Sequence, residues 1–427
     1  MELGGHDLLR IAREVAEQFA IEGAIVRVSP LGTGLIHRTY LVSCGVADAA
    51  DAGREYVLQR INTNVFRDPV RLMQNVDRIV AHLQSPGAPR PSAGPLDAAP
   101  LVPQINVVEQ PPPAAFLPNP DRKGGVFQPP SGARVRSLRS LHESSRAYLT
   151  LVPTRTPPQQ FTVGLDAHAN HGVWRMYDFI ANALCLESPA SPEQAYEAAA
   201  AIGDFQLRMA TLPPTPLHDT IPAFHDTPAR YDALEAASAR DAVGRAARVG
   251  EEIAYLRSHR TAACRLIEMQ RRDELPTRIV HNDAKMSNVL LSRDSGEWLC
   301  VVDLDTVMPG LVAYDFGDMI RSMSSATRED EPDISLVAAR AEYCEALIRG
   351  YLSTAAPMLT SCERGTLIDG AIAITLEQAA RFLTDYLDGD MYYATTRPDQ
   401  NFDRTRTQLA LVRQLADLAP RLRPLCD

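Results

Sequence analysis

Apolar residues recur at helical spacing over residues 6–20, where Leu8, Ile11, Val15 and Phe19 share one face. The period then changes. "AIVRVSPLGTGLIHRTYLVS" (24–43) alternates on both sides of a glycine-rich break, which predicts a strand, a turn and a strand. "EYVLQRIN" (55–62) predicts a third strand, and a helix follows from about Pro69 to Leu83 with proline near its first turn. "YLTLVP" (148–153) and "GVWRMYDFI" (172–180) read as further strands, the second reaching a hinge near Asp178. From Ser191 the helical period dominates. Ser191 is an N-cap candidate with Pro192 at the first helical position, and helices are predicted over 243–273, 335–353, 366–387 and 404–419. The short apolar runs "RIV" (278–280), "NVLL" (288–291) and "EWLCVVDLDTV" (297–307) interrupt them as strands. The expected fold is therefore α+β and bilobal: a small antiparallel-sheet N-lobe over residues 1–180 and a large, mainly helical C-lobe over residues 181–427. No internal repeat is visible.

Composition refines this layout. With 427 residues and 45% hydrophobic content, two lobes are expected rather than one core. Residues 85–135 hold 13 of the 32 prolines, and such a stretch buries too little apolar surface to order itself, so a disordered insertion in the N-lobe is expected. The net charge of −10 argues against a nucleic-acid partner, which calls for a basic face. The N-terminus lacks the basic-then-apolar order of a signal peptide, and no apolar run spans a bilayer. The seven cysteines are scattered and free of CxxC spacing, against a disulfide framework or zinc site. A cytoplasmic protein without membrane contacts is expected; oligomeric state is left open.

The chemistry concentrates in "IVHNDAKMSNVLL" (279–291) and "VVDLDTVMPG" (301–310). Asp283 and Asn288 lie on a loop between two apolar runs. Asp303 ends an apolar strand, and Asp305, two residues on, is expected on the same face. Together they supply what phosphoryl transfer from Mg2+-bound ATP requires. Asp283 orients an acceptor hydroxyl and takes its proton as general base. Asn288 and Asp303 hold magnesium through oxygen. Asp305 is a candidate for a second ion or for substrate, and His281 for orienting the loop. Either motif alone reads as readily as a capped turn or an ordinary strand end; the two together, about fifteen residues apart, favour catalysis.

The pattern HxDxxxxN followed by a hydrophobic DxD resembles the small-molecule phosphotransferases of kinase-like fold, the aminoglycoside phosphotransferases and choline kinases. "YVLQRINTNVFRDPVRLMQNV", "FHDTPARYDAL", "VVDLDTVMPGLVAYDFGDMIR" and "ARFLTDYLDGDMYY" are similar to the N-acetylhexosamine 1-kinase branch. That resemblance implies ATP-dependent phosphorylation of the anomeric hydroxyl of GlcNAc or GalNAc.

The same resemblance points to the remaining site residues. "PLGTGLIHRTYLV" would cover the phosphates, with Gly32 and Gly34 allowing close backbone approach, although an ordinary hairpin explains this turn nearly as well. The third strand is expected to bring Arg60 to the phosphates, with Gln59 on the opposite face, although one register slip would exchange the two and a surface arginine is the plain alternative; Asp77 is the nearest acid. Backbone from Tyr177 and Asp178 to Ile180 would meet adenine. Acceptor candidates are Arg381, Asp385, Tyr392 and Tyr393 in one block and His225, Asp226 and Arg230 in another, with Arg381, Tyr393, His225 and Asp305 favoured. A surface ion pair is the plain alternative for Arg381 and Asp385, four residues apart. Trp174 and Phe382 are expected in the core, and Asp315, Asp318 and Arg321 as braces. Two rivals remain: a kinase of a cationic acceptor such as choline or an aminoglycoside, and a non-catalytic scaffold built on the proline-rich segment.

Overall fold

In the computed structural model, residues 5–32, 37–45, 53–85, 149–155, 159, 161–165, 171–213 and 215–427 are described. Gly34 and the proline-rich stretch after Ser85 lie outside these residues. The N-terminal helix α1 (Gly5–Ala16) stops short of Phe19, which instead bridges to Thr154. It packs on an antiparallel sheet of β1 (Ala24–Pro30), β2 (Arg38–Gly45), β3 (Glu55–Arg60), β4 (Thr162–Leu165) and β5 (His171–Asp178), in the spatial order β1-β2-β3-β5-β4.

The two faces of this sheet have different fates. Residues directly opposite in antiparallel strands share a face. Tyr40 pairs with Leu58 and Leu58 with Met176, and this face buries Ile11, Val15, Tyr56 and Trp174 against α1. Thr39, Gln59 and Arg175 are in register on the other face, as are Val57 and Tyr177. There α2 (Pro69–Gln84), capped by Asp68, lays Leu72, Met73, Val76, Ile79 and Val80 into the core that contains Val173 and Tyr177.

The rest of the chain is mainly helical: α3 (Pro192–Met209), α4 (Thr227–Arg240), α5 (Gly250–Arg271), α6 (Val312–Met323), α7 (Ala341–Ala355), α8 (Ser361–Leu387) and α9 (Gln400–Leu422). The helix expected from 243 begins only at Gly250, after a short 3-10 turn at Ala246–Val249. Ser191 caps α3 as its sequence predicts. Helices α6 and α8 cross backbone against backbone. A Cβ on Gly317 would lie 2.5 Å from the Gly370 carbonyl oxygen, and one on Gly370 2.1 Å from that of Ala313, so only glycine fits either position.

Five short strands frame the loops between these helices: β6 (Ala183–Cys185), β7 (Arg278–Val280), β8 (Val289–Ser292), β9 (Trp298–Val301) and β10 (Met308–Gly310). β8 pairs with β9 and β6, while β7 pairs with β10. The two sequence motifs, 281–288 and 303–307, are thus the adjacent connections of two antiparallel pairs. Among the described residues, no helix is long and apolar enough to cross a membrane.

Candidate active site

The candidate catalytic loop, residues 281–288, hangs from a buried carboxylate. Asp315, in the first turn of α6, accepts the backbone N–H groups of His281 and Asn282, both at 2.6 Å, and the side-chain amide of Gln206 at 2.7 Å. The His281 ring donates Nε2–H to the Val302 carbonyl at 3.0 Å, tying the loop to the end of β9. Asn282 takes a left-handed conformation, φ 63°, and its amide donates to Thr306 O at 3.0 Å. These bonds fix the backbone on which Asp283 stands.

Asp283 is flanked by Asn288 and Lys285. The Asn288 amide donates to the Asp283 main-chain oxygen at 2.8 Å and to Oδ2 at 3.0 Å, so its own carbonyl oxygen faces away from these bonds. Lys285 Nζ lies 2.8 Å from Asp283 Oδ2. Burial works to raise the Asp283 pKa, but the Lys285 charge and hydrogen bond prevail and hold it below the ordinary carboxylate value. Burial would lower Lys285, yet the Asp283 charge raises it well above its usual value. A carboxylate kept ionised in this way can accept a proton, as a general base must. Lys285 is absent from the residues expected at the site, although it stands inside the catalytic motif, two residues after Asp283.

Asp303 and Asp305 are brought together by a turn. Strand β9 ends at Val301, Asp303 is left-handed (φ 61°, ψ 58°), and Asp305 sits in the 3-10 turn that follows. The expected strand alternation is therefore corrected: a non-glycine residue in this conformation carries about 1–3 kcal/mol of strain, tolerated where the surroundings fix it. Burial and then the charges of Asp305 and Asp283 raise the Asp303 pKa. A cation beside Asp303 would relieve that repulsion. Asp303 and the Asn288 carbonyl are the hard oxygen donors that magnesium prefers, so these residues fit a divalent ion.

Asp305 is already committed. Both of its oxygens bond the Arg175 guanidinium, with Nη2 to Oδ2 at 2.9 Å, and Oδ2 also lies 2.5 Å from His37 Nε2. Burial works to raise its pKa, but the Arg175 charge and His37 depress it far below the carboxylate range. His37 Nδ1 accepts the Asn62 backbone N–H at 3.1 Å, so Nε2 carries the proton given to Asp305. His37, Asp303 and Asp305 do each place one ligand atom within 4.8 Å of the others. The donating Nε2 and the neutralised Asp305 nevertheless leave Asp303 as the metal-ready acid. The roles expected for Asp305, a second ion or direct substrate contact, give way to an ion pair between the sheet and the turn.

The cation expected on β3 is also relocated. Arg60 shares the α1 face, its guanidinium 5.8 Å from the centre of the Trp174 ring. Gln59 takes the cleft face and accepts Arg175 Nε–H at 3.0 Å. The register of β3 thus turns Arg60 toward Trp174 and α1, and the guanidinium on the cleft face is that of Arg175 of β5, paired with Asp305. Asp77 pairs with neither. Gly32 has φ 70°, and a Cβ there would meet nothing within 4 Å, an open turn that glycine suits. Tyr177 is buried under the Arg175 guanidinium, 5.3 Å from ring centre to Cζ. The N–H groups of Asp178 and Phe179 are taken by Thr150 O and Glu55 O, so neither is open to the adenine contact expected there.

The acceptor candidates form a pocket of about 170 Å³ lined by Arg230, Arg381, Thr384, Asp385, Tyr392 and Tyr393, among others. Its carboxylates are occupied. Asp385 accepts the N–H groups of Met391, Tyr392 and Tyr393 and the Asn401 amide, a cap that shapes the loop after α8; Asp388 pairs with Arg240. Arg230 bonds main-chain carbonyls at Ala223 and Phe224, and burial with the nearby Arg381 charge lowers its pKa. The Tyr393 hydroxyl is buried without a partner, and burial pushes its pKa up to about 12. His225, expected at the substrate, turns inward instead: Nδ1 lies 2.8 Å from Glu377 Oε1 and Nε2 3.1 Å from Asn282 O. Trp174 and Phe382 are buried, and Arg321 pairs with Asp318 at 2.7 Å as a brace.

This arrangement is a kinase-like phosphotransferase fold, and comparison with known proteins agrees. The model of the phosphotransferase enzyme family to which aminoglycoside phosphotransferases belong matches residues 126–356, more than half of the chain. The chain belongs to that family and is a phosphotransferase. Its fold is similar to that of a microcompartment-associated aminopropanol kinase (13% identity, TM-score 0.53, covering 96% of this chain and 98% of that one). It is equally similar to an aminoglycoside phosphotransferase from Alicyclobacillus acidocaldarius (12%, 0.53, 99% and 97%). A third likeness is to an amicoumacin kinase in complex with AMP-PNP and Ca2+ (11%, 0.52, 95% and 93%).

Proposed function

We propose that the protein transfers the γ-phosphate of ATP to the anomeric hydroxyl of an N-acetylhexosamine, with Asp283 as general base. The observation that carries the acceptor class is the charge of the pocket. Arg230 and Arg381 face it, while its two carboxylates are spent on backbone caps and Arg240. Among the described residues of the pocket, a cationic acceptor such as choline or an aminoglycoside would meet two guanidinium groups and no free acid. A neutral sugar finds donors in Arg381 and in the unpartnered Tyr393 hydroxyl.

The chemistry needs little else from the protein. Asp283 accepts the hydroxyl proton as the oxygen attacks phosphorus, and Lys285 beside it carries positive charge to the transferred phosphoryl group. Asn288 and Asp303 would hold magnesium, which when bound neutralises the phosphate charge. The nucleotide and metal in the amicoumacin kinase complex support ATP and a divalent ion here. The Gly32 turn would cover the phosphates. Intact Asp283, Asn288 and Asp303 favour catalysis over a scaffold role.

The test is phosphorylation by Mg2+-ATP of GlcNAc, GalNAc, glucose, galactose, choline and kanamycin, with the product's phosphate located by NMR. Phosphate on O1 of an N-acetylhexosamine is expected. Turnover of choline or kanamycin alone would overturn the acceptor while leaving the metal and base assignments.

A further inference from the structure

His225 is positioned unlike any other histidine of the site. Its two ring nitrogens both face acceptors, Glu377 Oε1 at 2.8 Å and the Asn282 carbonyl at 3.1 Å. A carbonyl has no proton to give. Glu377, fully buried, also accepts Thr227 Oγ–H at 2.6 Å, and Thr227 in turn lies 2.6 Å from the Tyr314 hydroxyl. With Glu377 held ionised by its charged neighbours, both partners of the ring are acceptors, and two acceptors on one imidazole require two N–H donors. His37, by contrast, receives a backbone N–H on Nδ1 and needs only one proton.

Resting on the reading of the Arg381 pocket as the acceptor site, we propose that His225, held as an imidazolium between Glu377 and Asn282 O, is the positioning residue that links that pocket to the catalytic base. The path is short and covalent at both ends. Asn282 O belongs to the peptide bond that precedes Asp283, so a donor pulling on it sets where the Asp283 backbone lies. Glu377 is one helical turn before Arg381, whose Nη1 lies 3.9 Å from Glu377 Oε1. The same carboxylate therefore divides its charge between the imidazolium and the pocket's guanidinium. A hydroxyl bound by Arg381 draws on that guanidinium and leaves more of Glu377 to His225, tightening the grip on Asn282 as the acceptor arrives.

The surroundings support the charged ring. Burial works to raise Glu377, but the His225 charge and hydrogen bond, with Arg381, hold it below its ordinary value. The other groups facing the ring are Tyr314 from α6, edge-on at 5.8 Å, and Phe224, 4.5 Å away between centroids, whose ring centre also lies 5.0 Å from Arg381 Cζ. Arg230 of α4 bonds the carbonyl of Phe224, and Asp226, next in sequence, is turned to Arg271. Among the described residues, Glu377 is the acid bonded to the ring.

The test uses the full chain with His225→Gln, which keeps a neutral donor for Asn282 O, and Glu377→Gln as a second variant. Side-chain 15N NMR of histidine-labelled protein, assigned by the loss of one ring in H225Q, reads the protonation state directly: both nitrogens protonated at pH 7 are expected, and a neutral ring overturns the proposal. In single-turnover assays with GlcNAc, H225Q is expected to lower the rate about 100-fold, as a displaced reacting group does, with ADP affinity unchanged. An unchanged rate in H225Q would refute the link. If wild type does not use GlcNAc, the same comparison is made on Mg2+-ATP hydrolysis. An H225Q effect there keeps the role on the base and removes only the sugar, and no effect removes both.

Discussion

Lys285→Met removes the positive charge 2.8 Å from Asp283 Oδ2 while keeping the aliphatic stem. A cation at this distance lowers a carboxylate by about 1–3 pH units. Lys285 is 37% exposed, so solvent screening places the effect at the lower end. The Asp283 pKa should then rise by about one unit, roughly 1.4 kcal/mol. The sign follows from the role: a base works when ionised, its pKa is depressed in the native protein, and its activity is lost as pH falls through that value. Removing the lysine moves the acid limb toward neutral pH by about one unit. It also removes a donor from the transferred phosphoryl group, worth about 10²–10³ in rate. Single-turnover phosphorylation between pH 4 and 9, with the melting temperature as a folding control, reads both effects. Lys285→Arg should restore the limb. An acid limb that stays in place, with the plateau rate unchanged, would refute the assignment of Lys285 to Asp283 and to the phosphate.

Arg175→Met leaves the buried Asp305 carboxylate with only His37, and urea unfolding should show a loss of about 3–5 kcal/mol, much of it recovered by adding Asp305→Asn; a loss no larger than that of a surface substitution would remove the ion pair's structural role. Asp303→Asn should abolish Mg2+-dependent turnover and Mg2+ binding by calorimetry. It should not lower the melting temperature of the metal-free protein, because burial and then the like charges of Asp305 and Asp283 already disfavour ionised Asp303. Arg60→Leu should leave ADP affinity intact, whereas a large loss would return Arg60 to the phosphates. Arg381→Leu should raise the acceptor KM about tenfold or more, the worth of a charged hydrogen bond, with the KM for ATP unchanged.

Much of the fold was legible locally. Ser191 and Pro192 announced the start of α3, and Pro69 that of α2, through cap and first-turn chemistry that spans a few residues. Asp283, Asn288 and Asp303 stood out because the reaction requires those groups at short spacing. What was misplaced or missed depends on distant partners. Arg175 lies 130 residues from Asp305, and His37 268 residues from it, so nothing near either in sequence marks the bond. His225 looked like a substrate ligand because its partners, Asn282 and Glu377, are 57 and 152 residues away.

The sequence by itself determined four strands of the sheet, β1, β2, β3 and β5, and the helices α3, α5, α7, α8 and α9, and it singled out the acids and amide proposed for phosphate, because period, caps and reaction chemistry act over a few residues. Only the tertiary structure decided which face of β3 meets the cleft. Strand alternation separates Gln59 from Arg60, but both faces of β3 carry apolar side chains, Val57 on one and Tyr56 and Leu58 on the other. The packing of α1 against Tyr56, Leu58 and Trp174 breaks that tie. It turns Arg60 outward with them and leaves Gln59 and Arg175 facing Asp305, because one strand cannot bury the same face against two partners.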